Sequence, residues 1–166
     1  AYLADGEKVI VFSFFRSGLD AAIAVAGEAE TITGDVAPAE RLAVIDRFSS
    51  RPGFGVIACQ IDAAGVGLNL QAASAVVLME PQWKPSTEAQ AVARAHRMGQ
   101  TRRVVVHRML ARDTADEALT ALLAEKQRVF DTYADRSALA EAGSAAVDVS
   151  ESSLVALVLE RERARF

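Results

Sequence analysis

The chain has 166 residues, 51% of them apolar, a formal net charge of −4 and only 6% aromatics. That is enough apolar material for one packed domain with an appendage, and the negative balance excludes nucleic-acid binding by bulk electrostatics. The single cysteine, Cys59, excludes an internal disulfide, and no spacing of His, Cys, Asp or Glu resembles a metal-ligand set.

No apolar run approaches the ~20 residues of a membrane-spanning helix. No signal-peptide pattern opens the chain, so a cytosolic protein with no membrane partner is expected. The opening A-Y-L-A-D-G-E-K reads like the interior of a protein, so a piece of a longer polypeptide is expected. The basic residues are three lysines (Lys8, Lys84, Lys126) and otherwise arginines. A GC-rich genome would produce that bias without functional meaning. Clustering is more informative: Arg94, His96, Arg97, Arg102, Arg103, His107 and Arg108 fall within fifteen residues.

In chain order, the short continuous apolar run Lys8 to Ser13 predicts a strand buried on both faces. An alanine-rich helix from Gly18 to Glu28 follows, then a short strand from Glu30 to Thr33, stopped by Gly34-Asp35. Pro38 suits the first turn of a second helix, where Leu42, Ile45 and Phe48 form an apolar stripe. Phe54 to Ala58 predicts a third strand, feeding a small-residue loop from Asp62 to Leu70. Ala75 to Met79 predicts a fourth strand, followed by a loop with Pro81 and Pro85. A helix through Gln90 is expected to run to Gly99, a fifth strand spans Val104 to Leu110, and a long helix starts near Ala115. Residues 134–150, rich in Ala, Ser, Gly and Asp, suit a linker, and residues 151–166 a terminal helix. Alternating strands and helices with near-continuous apolar strands mean a parallel α/β sheet covered on both faces. Such sheets bind ligands at the carboxyl ends of their strands, which directs attention to the loops after Ala58 and Met79.

Within Q-A-V-A-R-A-H-R-M-G-Q (Gln90 to Gln100), a helix at ~100° per residue would put Arg94 and Arg97 each within roughly 40° of Gln90. Two guanidiniums on one face call for an anion, either a neighbouring carboxylate or a phosphate. Gly65-Val66-Gly67 alone is a weak phosphate signal, because glycines after a strand usually serve backbone geometry. It lacks the third glycine of a dinucleotide fingerprint. A Walker A loop is absent, since none of the lysines follows a glycine. Thr114-x-x-Glu117 is a capping box in which Glu117 returns a bond to the Thr114 amide, and Thr87-x-x-Gln90 is a second candidate box. Trp83 is expected to anchor its loop, with base stacking the lesser reading. His96 points to another face of the helix, in a packing or hydrogen-bonding role, and Cys59 is a small buried residue near a strand end.

Three blocks together resemble the second RecA-like lobe of superfamily 2 helicase-like ATPases, in the Swi/Snf-type branch and its bacterial relatives. Gly65-Val66-Gly67-Leu68-Asn69-Leu70 with Ala73-Ser74 is similar to that family's motif V. Trp83-x-Pro85 leading into Gln90-Ala91-x-x-Arg94-x-His96-Arg97-x-Gly99-Gln100 is similar to motif VI. Val104 to Leu110 with Thr114-x-x-Glu117 resembles the closing strand and helix. Val11-Phe12-Ser13 and Gly34…Arg41…Phe48 are weaker matches. The sequence departs from motif V at Gln60, Ile61 and Asp62, where a hydroxyl pair and a basic residue are usual, and Lys84 stands where asparagine is usual.

The resemblance implies a RecA-like parallel sheet of five or six strands over residues 1–133, with helices on both faces and a C-terminal helical extension. It implies ATP bound between two lobes. The first lobe, absent here, would hold the phosphates and Mg²⁺, and this lobe would supply Arg94 and Arg97 as arginine fingers. Gln90 would sense the nucleotide, and Gly65 and Gly67 would link that site to a groove for double-stranded DNA. Ser13, Gly34 and Gln60 would lie near one strand's phosphates, and Lys84 could add a phosphate contact. Such a translocase would work in the bacterial cytoplasm, at the nucleoid. From another class, the same residues suit a non-catalytic α/β interaction module whose arginine helix docks an acidic partner.

Overall fold

Strand β1 (Lys8–Ser13) is the centre of the molecule, because it pairs in parallel with β3 (Gly55–Gln60) on one side and β4 (Ala75–Leu78) on the other. Strand β2 (Glu30–Ile32) closes one edge against β3, and β5 (Val105–Arg108) the other against β4. The result is one parallel sheet in the order β2-β3-β1-β4-β5. The computed structural model describes residues 2–63 and 68–137, in two compact units, 1–109 and 110–166. The five strands, in the order along the chain that the sequence predicts, fall in the first unit.

The β1 run looks continuously apolar because both of its faces are covered. Ile10 and Phe12 join Ile32, Ile57, Cys59, Val76 and Leu78 on one face. Over them lie Val44, Ile45 and Phe48 of α2 (Pro38–Ser50) and Ala91 and Ala95 of α3 (Pro85–Ala95). Val9 and Val11 join Val56, Ala58 and Ala75 on the other face, beneath Leu19 of α1 (Arg16–Ala26). Alternation within each strand thus serves two cores at once. Burying a side chain such as Phe12 or Phe48 contributes ~1.5–3 kcal/mol each.

The α2 stripe is corrected in one position. Leu42 is 62% exposed, and Val44 is buried in its place. The buried trio Val44, Ile45 and Phe48 defines a face whose centre lies ~110° around the helix from Leu42.

In the second unit, α4 (Ala115–Ser137) opens on Thr114, whose hydroxyl accepts the Asp116 N–H at 3.3 Å. The Glu117 carboxylate accepts the N–H of Asp113 at 3.3 Å, not that of Thr114, so the capping box closes one residue earlier than expected. Asp113 adopts φ 58°, which turns its amide toward that carboxylate. The helix continues through Ala134 to Ser137, into the stretch assigned to a linker; the rest of that stretch and the terminal helix lie outside the described residues.

Candidate functional site

Helix α3 starts earlier and ends earlier than its sequence suggests. Lys84 is the N-cap and Pro85 takes the first turn, where its missing N–H costs nothing. Thr87 and Gln90 are therefore inside the helix, and the second candidate capping box does not form. At the other end the helix stops at Ala95, because its last carbonyls find partners elsewhere. The Arg94 carbonyl accepts the Leu70 N–H at 3.1 Å, and the Ala95 carbonyl accepts Gln100 Nε2 at 3.3 Å. The same Gln100 amide reaches the carbonyls of Gln71 (2.9 Å) and Ala73 (3.0 Å), while Gln71 Nε2 donates to the Met98 carbonyl at 2.6 Å. Gly99, at φ 98°, makes the turn.

Gln90 and Arg94 share a helical face, but Arg97 lies two residues past the helix, in the turn, so the three do not form one helical stripe. Arg94 is half-buried in the last turn, where its charge favours the helix C-terminus. Arg97 and Gln90 are exposed, and among the described residues neither side chain has a hydrogen-bond or ionic partner. His96 caps the helix through its N–H to the Val92 carbonyl (3.0 Å), with its ring exposed rather than packed. Trp83 is 38% exposed, a partly seated loop residue.

A helix that returns from the end of one parallel strand to the start of the next runs against the strands. Arg94 and Arg97 therefore sit toward the amino edge of the sheet, not the carboxyl edge. Local bonds agree: Ala73, held by Gln100, adjoins Ser74, whose N–H and carbonyl bond Lys8 and Val105 at the starts of β1 and β5. Glu7, Ser74 and Arg102 complete this edge, with Arg102 Nη1 on Glu7 at 3.0 Å and the Ser74 hydroxyl on the same carboxylate. Burial, followed by the nearby Arg102 charge, pushes the Lys8 ammonium below its ordinary value.

The carboxyl edge gathers Ser13, Gly34 and Gln60, which lie far apart in sequence. The Gly34 N–H donates to Gln60 Oε1 (3.0 Å), and Gln60 Nε2 donates to the Phe14 carbonyl (3.3 Å). The Glu80 carboxylate accepts the Phe14 N–H (2.6 Å) and Gln82 Nε2 (3.0 Å) on one oxygen, and lies 2.8 Å from the Ser13 hydroxyl on the other. Ser13 Oγ also accepts the Phe15 N–H (3.0 Å) and can turn its one proton to the Phe15 carbonyl (2.9 Å) instead of Glu80. Ser13 is wholly buried, so it braces this edge from within; its own hydroxyl does not reach the surface where a phosphate would lie. Gly18 permits this, since a Cβ there would lie 2.6 Å from Ser13 Oγ. The Arg16–Asp35 ion pair lies on the same rim, and Lys84 is exposed in the loop that follows β4. Glu80 and Gly18 were not among the expected site residues. The only sequence signal for Glu80 is an acid placed directly after a strand.

Gly65 and Gly67 lie outside the described residues. Their flanks are well held. The Ile61 N–H donates to the Ser13 carbonyl (3.0 Å) at the carboxyl edge, and the Leu70 N–H to the Arg94 carbonyl near the amino edge. Arg41 ties the Ala63 carbonyl (2.9 Å) to that of Val36 (2.8 Å). Leu68, Leu70 and Ala73 are buried in the core beneath α2 and α3. The described flanks of this crossover thus lie at the two edges.

The profile of the helicase conserved C-terminal domain matches residues 2–99, and the chain belongs to this family. Its relatives narrow the branch. The chain is 41% identical over 129 residues to the DNA repair protein RAD5B of Arabidopsis thaliana, covering 75% of the chain and 10% of that protein. It is 36% identical over 163 residues to the chromodomain-helicase-DNA-binding protein 1-like of Danio rerio, covering 93% and 16%. Among solved structures, the SWI2/SNF2 ATPase core domain of Sulfolobus solfataricus superposes with a TM-score of 0.70 at 25% identity, over 98% of this chain and 31% of that one. The C-terminal part of the Fun30 ATPase domain shares the fold, with a TM-score of 0.70 at 22% identity, over 95% and 48%. The chain is a C-terminal RecA-like lobe of the Swi/Snf-type, helicase-like ATPases. It spans about a tenth to a sixth of the length of these two curated relatives.

Proposed function

We propose that this lobe completes an ATP site whose phosphates and Mg²⁺ are held by a separate N-terminal RecA-like lobe of the same polypeptide, and that the assembly moves along double-stranded DNA. Arg94 and Arg97 are the arginine fingers, and Gln90, on the same helix as Arg94, contacts the nucleotide. The carrying observation is the exposed end of α3: Arg97 presents a guanidinium with no partner among the described residues, one turn from the half-buried Arg94. Fork-shaped guanidiniums suit a loose phosphoryl-transfer transition state, whose charge spreads over equatorial oxygens. Such a finger contributes about 10³–10⁵ in rate, roughly 4–7 kcal/mol, far more than a surface salt bridge.

Gly34, Gln60 and Lys84 form the side toward DNA, with Ser13 as the internal brace. The crossover containing Gly65 and Gly67 links that side to the arginines. The work is done in the cytoplasm, at the nucleoid. The test is ATP turnover by the complete polypeptide. Arg94→Ala and Arg97→Ala are each expected to lower kcat by orders of magnitude while the fold survives, and a near-normal rate in either removes that arginine from the role. The isolated 166-residue chain is expected to hydrolyse essentially no ATP; robust turnover by it would overturn the division of labour between lobes.

A further inference from the structure

The bonds on the carboxyl edge follow the spatial order of the strands. Gly34 after β2 bonds Gln60 at the end of β3, and Gln60 bonds Phe14 after β1. Phe14 and Ser13 bond Glu80 after β4. Glu80 holds Gln82, whose N–H donates to Glu88 Oε1 in the first turn of α3 (3.3 Å), and Arg108 at the end of β5 donates to Glu88 Oε2 (2.8 Å). These side chains and amides make one belt across all five strand ends. Glu80 joins the β1 loop to the segment entering α3.

We infer that Glu80 is a positioning residue that couples the DNA-side loop after β1 to the arginine-bearing helix α3; this rests on the function proposed above. Two features support the inference. The Glu80 carboxylate has accepted a backbone N–H and a side-chain amide, and it faces a buried hydroxyl, so moving the β1 loop moves the β4–α3 loop with it. Bonds to an ionised carboxylate are short and strong, and losing one here leaves the Phe14 N–H and the buried Ser13 hydroxyl to find new partners. The second feature is the room made for the clasp. Gly18 leaves its Cβ position empty 2.6 Å from Ser13 Oγ and 3.8 Å from Glu80 Oε2, so α1 packs directly onto it. A rigid chain of contacts is a physical connection, and coupling through it is a matter for measurement.

The experiment is steady-state ATP turnover by the complete polypeptide, with and without duplex DNA, in Glu80→Ala, Glu80→Gln and Arg94→Ala. Glu80→Ala is expected to lower the ratio of DNA-stimulated to basal kcat at least fivefold, with basal kcat and the KM for ATP within twofold of the parent. Glu80→Gln is expected to retain the ratio within twofold, because its carbonyl can still accept from Phe14 and its amide can donate to Ser13 Oγ. If Glu80→Ala leaves the ratio unchanged, or lowers basal and stimulated rates together, the inference is wrong and Glu80 is only structural. If Glu80→Ala does not fold, Gly18→Ala disturbs the clasp from the α1 side and must lower the same ratio, and an unchanged ratio overturns the inference. Arg94→Ala separates the two proposals. Normal turnover there sinks the arginine-finger reading, whereas lost turnover with an unchanged Glu80→Ala ratio sinks the coupling inference alone.

Discussion

The two ends of this sheet treat polar groups in opposite ways. At the carboxyl edge the donors and acceptors of Ser13, Gly34, Gln60 and Glu80 are spent on one another. At the C-terminal end of α3, Arg97 points a guanidinium into solvent. A saturated cluster holds a shape, and its value lies in rigidity. An open cation has yet to meet its anion, and its value lies in what binds. Residue type alone does not tell the braced edge from the open cation.

The comparison breaks most easily at the arginines. Arg97→Ala should cost orders of magnitude in kcat with almost no change in melting temperature, because its head group is exposed and has no partner among the described residues. Next in size are changes to the shared core. Phe48→Ala should cost about 3–5 kcal/mol by denaturant unfolding, whereas Leu42→Ser, six residues earlier on the same helix, should stay within about 0.5 kcal/mol. Equal effects would mean that α2 is rotated from the arrangement described. Smaller again is Cys59, which lies on the row Ile32–Cys59–Phe12–Leu78 between the two ends. Burial pushes its thiol from 9.0 up to about 12. The folded state accepts only the neutral thiol, so the unfolded chain ionises first. Stability from this group is complete below pH 9.0 and is lost as pH rises toward about 12. The native thiol should resist alkylation at pH 8 and react only on unfolding; native labelling at the unfolded rate would show that the row is open to solvent.

Much of the fold was legible in the residues. Continuous apolar runs such as Lys8 to Ser13 marked strands buried on both faces, and Pro38 marked a helix start. The string from Gln90 to Gln100 pointed to a family that the profile match bears out. Legibility failed where a distant partner decided the outcome. Helical periodicity carried α3 on to Gly99, yet the helix stops at Ala95 because Leu70 and Gln100 take its carbonyls. Thr87 and Gln90 have the spacing of a capping box, yet Pro85 starts the helix first. The family resemblance placed Ser13 near a phosphate backbone, and nothing in its sequence neighbourhood predicts its partner Glu80, sixty-seven residues away.

Taken alone, the sequence determined the order of strands and helices, the parallel sheet, the absence of a Walker A lysine and the choice of arginines. All of these follow from local chemistry: apolar period, turn residues and side-chain type. Only the tertiary structure decided which polar groups are already satisfied. It buried Ser13, gave Glu80 its place, ended α3 before Arg97 and separated the arginines from the carboxyl edge. Hydrogen-bond partners drawn from separate strands are set by how the chain crosses the sheet, and no window of neighbouring residues contains that information.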